Sequence, residues 1–322
     1  MKFDVTLADI QAAAARISGR IRRAPTWHSA GLSARLGVET WVKVESLQLG
    51  GSFKLRGCFN RMLAMSDRER AAGVVTVSGG NHAIAVAIAA KAMEMRATVL
   101  MPEGSAAYNV QLTRAAGAEV LFEPDAAACF REAEELAGRG MTAIHPYDDP
   151  AIIAGHGTLG LELATDAGGR IDHVFLSIGG GGFAAGVGAA LKGLDPAVRI
   201  HGVETEGATA MSEALAAGVP MTIRPNSIAR TLAAPFVTER TLAAARQFLE
   251  EVVVVPDADA VREIDWVLQH GRVLLEPAAS AVVAAAQARR ERFKPGERVV
   301  LVLCGSNVAL GEIAEWRTRF GV

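Results

Sequence analysis

The chain has 322 residues, enough for one large or two medium domains, and half of them are hydrophobic, so a substantial core can form. A formal net charge of −2, with no Lys/Arg run long enough to make a basic surface, argues against nucleic acid or a membrane as the expected partner. The opening MKFDVTLADI carries Asp4 and does not read as a signal peptide, apolar runs such as Ala83–Ala90 are too short to span a bilayer, and Cys58, Cys129 and Cys304 lack pair spacing. Neither a disulfide framework nor a zinc site is expected, and a reducing cytoplasm is the expected location.

In chain order, Val42 and Val44 alternate with polar residues, as in a half-buried strand. Gly50 and Gly51 break it, and Ser52 is placed to cap a helix in which Leu55, Phe59, Met62 and Leu63 recur at helical spacing. Lys54 falls in the first turn of that helix. Asp67–Arg70, DRER, reads as a solvated connection. A first series of strands is expected at Val74–Ser78, Thr98–Pro102, Glu119–Phe122 and Thr142–His145. Helices near Asn81–Met93, Ala106–Ala116 and Ala126–Leu136 lie between them. The turn-rich PYDDP, Pro146–Pro150, ends the series. A second series is expected at His173–Ile178, Arg199–Glu204, Val252–Val255 and Arg298–Cys304. Near-continuous apolar strands between helices predict parallel sheets covered on both faces, hence an α/β protein of two αβα open-sheet domains with a cleft between them. The expected division is a large domain, residues 1–66 and 150–322, with a small mobile domain, 67–149, inserted in it.

Three segments carry chemistry. The dipole at a helix N-terminus disfavours a cation, and burial adds to this, so Lys54 is pushed toward the neutral amine that can form a covalent link to a carbonyl. Local physics also allows a surface lysine with glycine neighbours. Gly179, Gly180, Gly181 and Gly182 lie between the apolar strand ending at Ile178 and a helix beginning near Phe183. Their N–H groups, with the helix dipole, can hold a phosphate. The same stretch fits G-x-G-x-x-A, with Glu204 where a ribose-binding acid would stand, so residues 173–204 also read as a dinucleotide-binding unit. Ser78, Gly79, Gly80, Asn81 and His82 form a second loop before a helix, suited to a substrate carboxylate.

GSFKLRG around Lys54 closely resembles the lysine motif of fold-type II pyridoxal-phosphate (PLP) enzymes, the serine/threonine dehydratase and serine racemase family. The resemblance continues in order through SGGNHA, GGGG, EPAAS and CGSN, over nearly the whole chain. It implies PLP as cofactor, with Lys54 as its covalent anchor and Phe53 packed on its ring. It assigns the Gly179–Gly182 loop and Phe183 to the phosphate, Asn81 to the phenolic oxygen, and Glu276 to the cofactor's surroundings. Cys304 would meet the pyridine nitrogen, with Ser306 as an alternative. Ser78, Gly79, Gly80, Asn81 and His82 would surround the substrate. The implied reaction removes water and ammonia from a small β-hydroxy amino acid such as threonine or serine, giving a 2-oxo acid; 3-hydroxyaspartate and phenylserine share the reacting part. A homodimer is implied too. A PLP-binding protein without turnover is a third reading, beside the dinucleotide-dependent oxidoreductase.

Departures from the family pattern sharpen this. Serine racemase has a serine where this chain has Gly79, so two-base racemisation is expected to be lost while elimination persists. Glu204 and Ala208 match a divalent-cation site whose third position is here Ala210, so no metal is expected. Arg230 stands where relatives usually carry an acid, and could meet a second substrate carboxylate.

Overall fold

The computed structural model describes residues 2–322. Among the described residues, ten strands form two sheets. One has six strands in the order β1-β2-β10-β7-β8-β9, comprising β1 (Thr26–His28), β2 (Glu39–Val44), β7 (His173–Ser177), β8 (Arg199–Thr205), β9 (Leu249–Val255) and β10 (Arg298–Leu303). The other has four in the order β5-β4-β3-β6, comprising β3 (Val74–Val77), β4 (Ala97–Pro102), β5 (Glu119–Glu123) and β6 (Thr142–Ala143). The pairings of these strands are parallel except β1 with β2, which the sequence pattern did not predict. The central strands are apolar and buried because helices cover both faces, leaving no solvent side for polar residues.

Three local readings are corrected. Lys43 does not mark the wet face of a half-buried strand. It is buried, and its Nζ donates to the Ala24 carbonyl at 2.8 Å and to Glu162 Oε2 at 2.5 Å. Asp67–Arg70 is solvent-facing as expected, but it belongs to a helix, Asp67–Ala72, and is not an irregular connection. Ser66 accepts from Glu69 N–H, and the Glu69 carboxylate accepts from Ser66 N–H; this is the S-x-x-E capping box, which was present in the sequence. Ser52 does not cap the Lys54–Leu63 helix. Phe53 already has helical backbone angles, and Ser52 makes a backbone bridge to Gly305 instead, its hydroxyl buried without a partner.

The Lys54–Leu63 helix is held by charge as well as by Leu55 and Met62. Arg56 is fully buried, with two bonds to Glu45, at 2.7 and 2.9 Å, and two to Glu162, both 2.8 Å. Lys43 completes a four-residue network on Glu162. Each charge has an opposite partner, which a buried ion requires.

Candidate active site

A cavity of about 340 Å³ opens where the C-terminal ends of β3 and β7 meet the end of β10. This is the place where parallel α/β sheets bind ligands, because helix N-termini gather there. Four do so here. The helices Lys54–Leu63, Asn81–Ala92, Gly182–Leu194 and Pro277–Arg289 all begin at the cavity, and none has a side-chain cap. Their free N–H groups and dipoles make the cavity attractive to anions.

Lys54 reaches into it, its Nζ donating to the Pro146 carbonyl at 2.8 Å. Desolvation lowers its pKa to about 8, against a small opposing pull from Cys58 and Cys304. Phe53 stacks on Phe183, centroids 3.8 Å apart, so the two aromatics form one wall. The helix at Asn81 begins with Gly80 in the cap position, and the Asn81 side chain leaves its own helix. Its Nδ2 donates to Glu276 Oε1 at 2.7 Å, and its Oδ1 accepts from Asn307 Nδ2 at 2.7 Å. That fixes which way the amide points. Glu276 also accepts from Thr231 Oγ1 at 3.0 Å, while its Oε2 is buried without a partner. Burial raises its pKa to about 7, opposed by the bonds from Thr231 and Asn81.

His82 is buried beside Cys58 Sγ, 3.7 Å from its Nδ1, and desolvation keeps its ring neutral at physiological pH. Ser78 Oγ accepts from Gly80 N–H at 3.2 Å. Cys304 lines the cavity and approaches Ser177 Oγ at 3.8 Å, and burial raises its pKa far enough to keep the thiol protonated. Ser306, the alternative, donates its hydroxyl to the Ser46 carbonyl at 3.0 Å and does not line the cavity.

Gly179–Gly182 line the cavity, and Gly180 and Gly182 pack on Tyr147. A Cβ at Gly180 would sit 2.2–2.4 Å from the tyrosine ring, and one at Gly182 would sit 2.3 Å from the Tyr147 carbonyl. Gly181 has φ +91, where L side chains are rare. The loop therefore presents backbone alone, as a phosphate cup needs.

The structure thus brings Lys54, Phe53, Ser78, Gly79, Gly80, Asn81, His82, the four glycines, Phe183, Glu276 and Cys304 to one cavity. Sequence reasoning missed Tyr147, Thr231, Asn307 and Ser105. Asn307 closes the CGSN motif and Thr231 lies in SIARTL, so position beside a motif was the available signal. Tyr147 sat in a segment read only as a turn.

Glu204 answers two other expectations. Its carboxylate accepts from the N–H groups of Met211 (2.7 Å) and Ser212 (3.0 Å) and from Ser212 Oγ (2.6 Å), at the start of the Ala210–Ala217 helix. Both of its oxygens are engaged by that helix start, so Glu204 serves as a helix anchor. EDTA is accordingly expected to leave melting temperature and turnover unchanged. A large loss restored by Mg²⁺ or Ca²⁺ would show that other oxygens, Glu206 among them, build a site.

These features fit PLP: an amine with lowered pKa, a backbone-only anion cup, a uniquely oriented amide and a neutral thiol in one cavity. The model for pyridoxal-phosphate dependent enzymes matches residues 17–305. The chain belongs to the pyridoxal-phosphate dependent enzyme family. It is 34% identical over 313 residues to the L-threo-3-hydroxyaspartate ammonia-lyase of a Pseudomonas species, covering 95% of this chain and 96% of that one. It is 33% identical to the L-threonine ammonia-lyase of Thermotoga maritima over 315 residues, 96% of this chain and 77% of the other. Among solved structures, maize serine racemase superposes with TM-score 0.91 at 29% identity, over 98% of both chains. The processed form of threonine deaminase isoform 2 from Solanum lycopersicum gives 0.89 at 31%, over 98% of this chain and 92% of that one. The family membership makes PLP the cofactor and sets aside a dinucleotide as the reading of residues 173–204.

Proposed function

We propose that this PLP enzyme is an ammonia-lyase that removes water and ammonia from a small β-hydroxy amino acid, threonine or serine in type, with Lys54 as the covalent anchor and the α-proton base. The observation that carries the reading is Lys54 Nζ, desolvated to a pKa of about 8 in a cavity ringed by four uncapped helix starts. When bound, PLP supplies an electron sink for the α-carbon of an amino acid.

The chain's own residues do the rest. The N–H groups of Gly179–Gly182 would hold the phosphate, and Asn81, locked by Asn307 and Glu276, would bind the ring oxygen. Cys304 would offer the ring nitrogen a neutral partner, weaker than a carboxylate at holding a proton there. The N–H groups at Gly80–His82 take the substrate carboxylate. Lys54 in its unprotonated form, which a pKa of about 8 keeps accessible, takes the α-proton, and the β-hydroxyl departs with one proton as water. The resulting enamine hydrolyses to a 2-oxo acid and ammonia. Residues 67–149, which hold the whole four-stranded sheet, are assigned the closing movement that keeps water out. Assembly as a homodimer belongs to the same proposal.

A second substrate, 3-hydroxyaspartate, is favoured by Arg230. It lines the cavity, and its ion pair to Glu312, at 3.4 Å, leaves donors free for a second carboxylate.

The test is 2-oxo acid formation over a panel of serine, threonine, 3-hydroxyaspartate and phenylserine, with chiral separation of the remaining substrate. At least one member is expected to turn over. With no side chain at position 79 to protonate the α-carbon, the opposite enantiomer should form at about a hundredth of that rate or less, the scale of a lost general acid. No turnover by any member overturns the lyase reading; comparable rates for the two products overturn the account of Gly79.

A further inference from the structure

One wall of the cavity carries a hydroxyl from outside every motif. Ser105 stands on the loop after β4 and lines the cavity beside the Ser78–Gly80 loop. A Cβ built on Gly79 would lie 2.5 Å from Ser105 Oγ and 3.2 Å from Ser105 Cβ. The glycine and the serine therefore compete for one space, and the missing side chain at 79 is what admits the Ser105 hydroxyl. Asn109 steadies the arrangement, its Nδ2 donating to the Gly79 carbonyl at 3.2 Å.

Ser105 Oγ donates to the Pro102 carbonyl at 2.7 Å. A hydroxyl is a free rotor, and a carboxylate is a stronger acceptor than a neutral carbonyl. An anion at the uncapped start of the Asn81–Ala92 helix would stand next to it. Two charged side chains also line the cavity at this end: Glu103, which is exposed, and Arg230, which pairs with Glu312.

We propose that Ser105 Oγ binds the α-carboxylate of the amino-acid substrate, turning from the Pro102 carbonyl to donate to it, in the place a side chain at position 79 would otherwise occupy. The proposal rests on the amino-acid reading of the cavity and extends its substrate-binding set to the loop after β4.

The test uses the PLP-loaded protein and three variants, Ser105→Ala, Gly79→Ser and the double variant. Affinity for L-serine is read by titrating the cofactor's absorbance, and kcat and KM are read from 2-oxo acid formation. Ser105→Ala should raise Kd and KM about tenfold, equal to about 1.4 kcal/mol, with kcat nearly unchanged, the signature of lost uniform binding. L-serine methyl ester, whose carboxylate is masked, should bind wild type and Ser105→Ala alike. Gly79→Ser alone should bind worse than the double variant, in which the hydroxyl is restored from the neighbouring position.

Unchanged serine affinity in Ser105→Ala overturns the proposal. So does an equal loss for the ester, which would point to the shape of the wall. Weakened binding in a protein that makes no 2-oxo acid would support Ser105 and defeat the lyase reading. Turnover that ignores Ser105→Ala would do the reverse. If L-serine does not perturb the wild-type absorbance at all, the assignment of Ser105 falls.

Discussion

Lys54→Met is expected to abolish turnover and, in the cofactor-free protein, to raise stability. The loss combines the covalent anchor with the proton-transferring base, and the base alone is worth about 10²–10⁴-fold. The stability gain follows from linkage. Burial lowers the Lys54 pKa to about 8, below its value in the unfolded chain. At pH 7 the fold therefore holds a charged amine at a cost that the unfolded chain does not bear. The cost is fully present below pH 8 and is relieved as pH rises toward the unfolded pKa of about 10.4. Methionine removes it at the expense of one hydrogen bond, to the Pro146 carbonyl. The net gain at pH 7 should be about 1–3 kcal/mol, less than the full linkage value because that bond is lost. Thermal melting of both apo-proteins at pH 7 and pH 10 checks this. A variant no more stable than wild type at pH 7, or a gap that widens at pH 10, would sink the argument.

Gly180→Ala is expected to weaken PLP binding at least about 100-fold, as losing two charge-assisted hydrogen bonds would. The added methyl would lie 2.2–2.4 Å from three atoms of the Tyr147 ring. That ring is buried, and its hydroxyl is tied to the Phe236 carbonyl at 3.1 Å, so it cannot swing away cheaply. The loop must rise instead, and its N–H groups lose their aim. Gly180→Ala combined with Tyr147→Ala should recover much of the affinity, because the obstacle is gone. Cofactor titration by absorbance on the three proteins is the measurement. Undiminished affinity in the single variant would mean that the loop does not hold the phosphate.

The parallel sheets and their strand positions were legible because burial on both faces leaves unbroken runs such as RVVLVL. The loops at Ser78, Gly179 and Cys304 were legible for a related reason: each ends such a run, and strand ends in parallel sheets converge. What stayed hidden depended on pairs distant in sequence. Lys43 looked solvent-facing because Glu162, its partner, lies far along the chain. The antiparallel β1 has three residues, too few to carry a period. Tyr147 and Ser105 hold their places only through glycines that leave room for them, and a glycine in sequence does not say what fills its space.

Arg56 stands two residues beyond Lys54, locked between Glu45 and Glu162, with Lys43 on the far side of the same carboxylate. Removing one member of such a buried set strands its partner, at a typical cost of about 3–5 kcal/mol, whereas exchanging the set for well-packed apolar residues can be neutral. The neighbourhood of the anchor lysine therefore has few single-step neighbours in sequence space. Viable variants of these four positions should arise as coordinated sets, and a library that changes them one at a time should find almost none.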